Sequence, residues 1–261
     1  MTYLILSRAV GSFRVFRGYL WSRFWRTYFS PDSKHVAYIA INGRWQNNSH
    51  TEQLVVDGQE GPVVARVDEA SLRWSSDGKH LAYVAAGASG NDPFGQGGPK
   101  WVILDGLSQA RHGLISDLAF SADGKHLAYV AHGASGAAYT VVLDGRPGPM
   151  FDEIKWRPLS DRSSLFTPDG RHTLFQARRR GKAVVVLDGQ PGPEYDKVLG
   201  TWIRLNGSTF ADGGRRSTCS PRILPDGAIQ YSALIAGNPA ELYIVTQWPA
   251  AEAATPPGGR P

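Results

Sequence analysis

The chain has 261 residues, 42% of them hydrophobic and 20% charged, with a formal net charge of +5. That is the balance of a folded domain rather than a disordered one, and the 30 glycines and 17 prolines favour a turn-rich, many-stranded architecture. No apolar run approaches the roughly 18 residues of a membrane span, and the single Cys219 allows neither an internal disulfide nor a cysteine-built zinc cage.

Positive charge is concentrated at the start. Arg8, Arg14, Arg17, Arg23 and Arg26 occur before residue 29 with no acid among them. The remainder is electrically balanced, so the net charge is not in itself a sign of nucleic-acid binding. These arginines also interrupt anything resembling the apolar core of a secretory signal. A cytoplasmic protein is expected as the sequence is written, and a periplasmic one if Met1 is not the natural start.

From residue 29 onward a repeat dominates. Phe29-Ser-Pro-Asp-Ser-Lys-His-Val-Ala-Tyr38 is followed by Trp74-Ser-Ser-Asp-Gly-Lys-His-Leu-Ala-Tyr83, Phe120-Ser-Ala-Asp-Gly-Lys-His-Leu-Ala-Tyr129 and Phe166-Thr-Pro-Asp-Gly-Arg-His-Thr-Leu-Phe175. A worn copy, Ile223-Leu-Pro-Asp-Gly227 with Tyr231, closes the series. Successive copies begin 45, 46, 46 and 57 residues apart. A second register keeps step: Asp57-Gly58, Asp105-Gly106, Asp144-Gly145 and Asp188-Gly189 each follow an apolar run, with Val67, Ile115, Ile154 and Val198 ten residues after the aspartates.

Each unit reads as four short strands. An apolar stretch ending at the aromatic gives the first, and the Asp-Gly turn reverses the chain because glycine accepts positive φ and aspartate bonds its own turn. The Leu-Ala-Tyr run gives the second strand, the Val-Val-Leu run the third, and the next Asp-Gly leads into the fourth. Uninterrupted apolar runs of four to six residues suit strands covered on both faces. Four strands at a period near 45 predict an all-β fold, a β-propeller of four-stranded blades.

The Ser-Pro-Asp-Gly-Lys turn followed by an Ala-Tyr strand resembles the repeats of TolB-type, WD-like bacterial propellers. It is also similar to the propellers that precede prolyl-oligopeptidase-type hydrolases. Over residues 29–231 the resemblance implies the fold and leaves function open, because that repeat serves unrelated proteins. No Gly-x-Ser-x-Gly nucleophile elbow occurs, so it does not imply the hydrolase.

Five blades are expected, starting near Phe29, Trp74, Phe120, Phe166 and Ile223 within one domain spanning residues 1–249. The last blade ends at its third strand, Glu241–Gln247, while Ser12–Tyr19 aligns with the fourth-strand position. Residues 10–20 are therefore expected to complete that last blade, leaving no open edge. The alternative is a fragment of a six- or seven-bladed protein. Residues 250–261 have the composition of a disordered tail.

The chemistry-bearing residue types are mostly locked to the repeat. His35, His80, His126 and His172 share one position after the turn and are read as structural, as are the turn aspartates; no metal site, cofactor or catalytic residue is assigned. Asp152, Glu153 and Asp196, after the Gly-Pro of two units, are read as structural too, although paired acids can do acid–base work. His50, His112 and His132 have no nucleophile beside them in sequence.

What departs from the repeat carries the functional reading. The variable stretches are 41–53, 86–100, 155–165 and 199–222, and the two long ones are read as fourth-to-first-strand insertions before blades four and five. The glycine-rich 86–100 reads as a mobile surface loop, without the Gly-Lys-Ser/Thr of a phosphate loop. Residues 155–165 hold Trp156, Arg157 and Arg162; residues 199–222 hold Trp202, Arg204, Arg215, Arg216 and Arg222; the connection 177–183 holds Arg178, Arg179, Arg180 and Lys182 with no acid. Arginine forks suit phosphate, sulfate or carboxylate, and indoles stack on flat groups.

The expectation is a monomeric, non-catalytic binding module whose partner is an acidic protein or another anionic ligand, with nucleic acid the less favoured polyanion. Its proposed contacts are Trp156, Arg157, Arg178, Arg179, Arg180, Trp202, Arg204, Arg215 and Arg216. The alternative is an enzyme, a lyase or lactonase-like hydrolase, with a small site at a central channel.

Overall fold

The structure is a computed structural model and describes residues 27–42, 50–87, 98–133, 138–155, 165–167, 170–199, 222–224, 228–236 and 241–249. Among these residues every regular element is a strand. The strands form five four-stranded antiparallel sheets, one per repeat. The fold class is the β-propeller that the repeat predicts. Residues 10–20 and 250–261 lie outside the described residues. Two compact units are distinguished, residues 1–150 with 164–170 and residues 151–163 with 171–261.

The first unit contains three sheets. Sheet one runs β1 (Thr27–Phe29), β2 (Val36–Asn42), β3 (Thr51–Val56) and β4 (Gln59–Glu60). Sheet two runs β5 (Arg66–Trp74), β6 (Leu81–Ala86), β7 (Lys100–Leu104) and β8 (Leu107–His112). Sheet three runs β9 (Leu114–Phe120), β10 (Leu127–His132), β11 (Tyr139–Leu143) and β12 (Arg146–Pro147). The apolar runs behave as their composition demands. All six residues of β6 are buried, because opposite faces of that strand supply two cores. Tyr83 and Ala85 join Leu54, Val64 and Ile103 in one cluster, while Ala82 and Val84 join Tyr129 and Val142 in the next.

The second unit contains two sheets. Sheet four runs β13 (Glu153–Lys155), β14 (Leu174–Arg179), β15 (Lys182–Leu187) and β16 (Gln190–Tyr195). Sheet five has β17 (Lys197–Leu199) and β18 (Arg222–Ile223) both paired with β19 (Ile229–Ile235), which pairs in turn with β20 (Glu241–Gln247). By position, then, β17 and β18 are one interrupted first strand. Sheet five has no fourth-position strand among the described residues. Its core packs Tyr231, Ile229 and Val198 with Leu187 and Tyr195 of sheet four.

In sheets one, two and three the turns between first and second strands are held by one motif. Ser30, Ser75 and Ser121 donate to Asp32, Asp77 and Asp123 at 2.5–2.6 Å, and each serine Oγ accepts the backbone N–H of the histidine five residues on. Gly78, at φ 76, lies against the preceding turn, where a Cβ would come within 2.6 Å of Asp32 Oδ1. Only glycine meets both demands, the positive φ and the close approach.

The histidines complete the motif. Nδ1 of His35, His80, His126 and His172 lies 2.6–2.8 Å from Oδ2 of Asp57, Asp105, Asp144 and Asp188. Oδ1 of the same aspartates accepts the next backbone N–H, from Val36, Leu81, Leu127 and Thr173. One carboxylate thus ties the third-to-fourth-strand turn to the start of the second strand. His35 also stacks on Trp74 and His80 on Phe120, so the motif reaches the next sheet.

Candidate functional site

Where the repeat is interrupted is itself regular. In sheet two the ladder passes from Asp68↔Val84 to Arg73↔Ala82, leaving residues 69–72 opposite Tyr83. In sheet three it passes from Ser116↔Val130 to Ala119↔Ala128, leaving Asp117 and Leu118 opposite Tyr129. In sheet five Leu199 pairs with Ser232 and Arg222 with Gln230, so the ladder breaks at Tyr231. In sheet four β13 ends at Lys155, opposite Gln176 and one residue beyond Phe175. The two long variable stretches begin after β13 and β17, which hold first-strand positions in sheets four and five. They are not connections between a fourth strand and the next first strand: Val67, Ile115, Ile154 and Val198 already lie in β5, β9, β13 and β17.

Each interruption faces a ring with a partner of its own. The residue seven places after the Asp-Gly aspartate packs on it: His112 on Tyr129, Phe151 on Phe175 and Tyr195 on Tyr231, edge-on with centroids 5.8–6.3 Å apart. In sheet one the place is taken by Val64, in one cluster with Tyr83. Aromatic pairs of this geometry add about 0.5–1.5 kcal/mol beyond area burial, so the break in the ladder is backed by firm packing. Sheet two also mends part of it, because Ser71 Oγ accepts the Val84 N–H at 2.7 Å. In sheet three Asp117 takes φ 54, and burial pushes its carboxyl above the usual range.

Of the nine predicted contact residues, Arg178, Arg179 and Arg180 are described; Trp156, Arg157, Trp202, Arg204, Arg215 and Arg216 lie outside the described residues. The stretch 177–183, read as a loop, is a hairpin. β14 and β15 pair continuously to Arg179↔Lys182, leaving Arg180-Gly181 as a two-residue turn at φ 52 and 76. Three consecutive arginines score as loop along a sequence, but here two of them continue a strand.

Nor is the hairpin without acids. Arg179 Nε donates to Glu194 Oε1 at 2.8 Å, and Arg178 Nε lies 3.8 Å from Glu153 Oε2. Lys182 Nζ pairs with Asp196, and the Gly181 N–H reaches Asp152 Oδ2 at 3.3 Å. The Lys182 ammonium, with the Ala236 N–H, holds the Asp196 carboxyl below its ordinary range. The carboxylates read as structural from their place after Gly-Pro do pair in this way, which a scan of 177–183 alone cannot see. Among the described residues, no group of three or more His, Cys, Asp or Glu could hold a metal ion, and no helix is long and apolar enough to cross a membrane.

No protein-family model matches the chain, and no curated protein matches it. Among solved structures it is similar to the β-propeller domain of the Trilobed protease from Pyrococcus furiosus, at 15% identity and TM-score 0.30, over 81% of this chain and 79% of that one. It is similar to TolB from Acinetobacter baumannii, at 14% identity and TM-score 0.30, over 86% of this chain and 52% of that one. It is similar to oligogalacturonate lyase from Vibrio parahaemolyticus, at 14% identity and TM-score 0.31, over 86% of this chain and 67% of that one. The chain spans about half the length of the TolB structure.

Proposed function

We propose that this protein is a non-catalytic binding module that takes an acidic protein partner on the segments inserted in sheets four and five. The observation that carries the reading is the repeat-locked interruption. Its short form is residues 69–72 or 117–118, and on this reading residues 156–164 and 200–221, which follow β13 and β17, are its long forms. Those long forms carry Trp156, Arg157, Arg162, Trp202, Arg204, Arg215 and Arg216. Variable segments on a rigid framework are where recognition concentrates, and tryptophan and arginine are the residues most enriched at energetic centres of interfaces.

The test is charge reversal in the full chain, Arg157→Glu with Arg215→Glu and Arg216→Glu, read by retention on immobilised polyglutamate and heparin at rising salt. The variant is expected to elute at clearly lower salt than the parent, with a melting temperature within about 2 °C. Unchanged elution from both matrices would refute the reading. Arg178 and Arg179 are poor choices for this test, since reversing them also breaks their pairing with Glu153 and Glu194.

A further inference from the structure

One cation of the β14–β15 hairpin differs from its neighbours in every respect. Arg178, Arg179 and Lys182 are matched by Glu153, Glu194 and Asp196. Arg180, at the apex, is exposed and has no ion-pair or hydrogen-bond partner among the described residues. Its backbone is in the left-handed region at φ 52, which costs an ordinary side chain stability.

The chain itself shows what suits such a turn. At 57–58, 105–106, 144–145 and 188–189 it uses Asp-Gly, with aspartate at φ 49–50. Asparagine, aspartate and glycine are the residues such two-residue turns favour. The other non-glycine residues of positive φ among those described are Ser33 and Asp117. Arginine at 180 is thus a local choice made against stability, and choices of that kind mark functional positions.

We infer that Arg180 is the contact through which this protein grips a single carboxylate on its protein partner; the inference rests on the binding reading above. The surroundings select that ligand. Four bases at the hairpin (Arg178, Arg179, Arg180, Lys182) face four acids (Asp152, Glu153, Glu194, Asp196). A dense polyanion gains no long-range attraction from a neutral cluster and meets four carboxylates on approach. One carboxylate arriving end-on meets a guanidinium fork that can bind it through two hydrogen bonds. The continuous ladder below and the ion pairs on both flanks hold the turn in place, so little ordering is left to be done on binding.

The experiment compares the full chain, Arg180→Asn, Arg180→Lys and the triple reversal Arg157→Glu/Arg215→Glu/Arg216→Glu, each used to select from a random dodecapeptide display library. The parent is expected to enrich peptides with Asp or Glu at one fixed position. Arg180→Asn should lose that acid preference at least tenfold while raising the melting temperature by about 2–4 °C, because asparagine suits the turn. Arg180→Lys, which keeps charge without the fork, should lose most of the preference. The inference is overturned if Arg180→Asn keeps the acid preference, or if it fails to raise the melting temperature. If Arg180→Asn selects as the parent does and the triple reversal selects nothing, this inference alone falls. If the parent enriches no acidic position, the inference and the binding reading fall together.

Discussion

At the scale of single residues, stability is vested in side chains that bond backbone. Asp77, held by the Ser75 hydroxyl and the Lys79 N–H, titrates at about 2, and Asp32 and Asp123 are lowered by the equivalent serines. A carboxyl depressed on folding stabilises above its unfolded value near 3.8, and that stability is lost as pH falls through the folded value. Ser75→Ala is therefore expected to lower the melting temperature at pH 5 and to flatten its fall between pH 4 and 2, as followed by circular dichroism. His112 presents the opposite case. Its Nε2 is buried without a partner, and burial lowers its affinity for a proton. His112→Phe, matching the Phe151–Phe175 pair, should raise stability by about 1 kcal/mol, measured by urea denaturation at pH 6; a loss would show that the imidazole is needed there.

These residue-scale bonds were only half legible in sequence. The histidine and aspartate registers were both visible, but their separation varies through 22, 25, 18 and 16 residues. Nothing in the spacing says that the two registers touch. The packing residue seven places after each aspartate is not legible, because valine, histidine, phenylalanine and tyrosine share no chemical class, only a position.

Among elements, strand identity was legible and strand ends were not. The last third strand falls at Glu241–Gln247 in sequence and structure alike, because a long apolar run between turn residues has one reading. The first strands misled, since an interruption in mid-strand looks the same in sequence as a loop between strands. Excising residues 201–220 and joining the flanks through two glycines should leave a folded protein with a single cooperative melt, since two residues suffice at 117–118. It should also abolish retention on polyglutamate. Close packing between neighbouring sheets is less forgiving. A Cβ on Gly192 would lie 2.6 Å from Gln247 Oε1 and 3.2 Å from the Val185 carbonyl. Gly192→Ala is therefore expected to cost about 1–3 kcal/mol by chemical denaturation.

For the whole molecule, acid titration should proceed in two stages. Burial depresses His112 and His132, so their stabilisation is present above pH 6.5 and lost as pH falls below it. The turn aspartates follow below pH 4. A melting temperature that begins to fall below pH 6.5 and falls further below pH 4 is expected by calorimetry. Asp117, raised by burial, opposes the second stage without removing it. Fold class was legible because a repeat states the same rule several times over. The arginines of 177–183 were legible only as composition: matching Arg178 and Arg179 to Glu153 and Glu194 requires strand pairing, which local charge counting ignores.

The doorway opposite Tyr231 has a further consequence. Leu199 and Arg222 dock on β19 at Ser232 and Gln230, two residues apart and therefore within about 7 Å along the strand. The ends of whatever is spliced between them are already together. Doubling the length of a loop adds only about 0.6 kcal/mol of closure entropy, less than one well-buried methyl group contributes. A lineage carrying this scaffold can exchange or lengthen the stretch between those two anchors freely, with no compensating change in the sheets beneath.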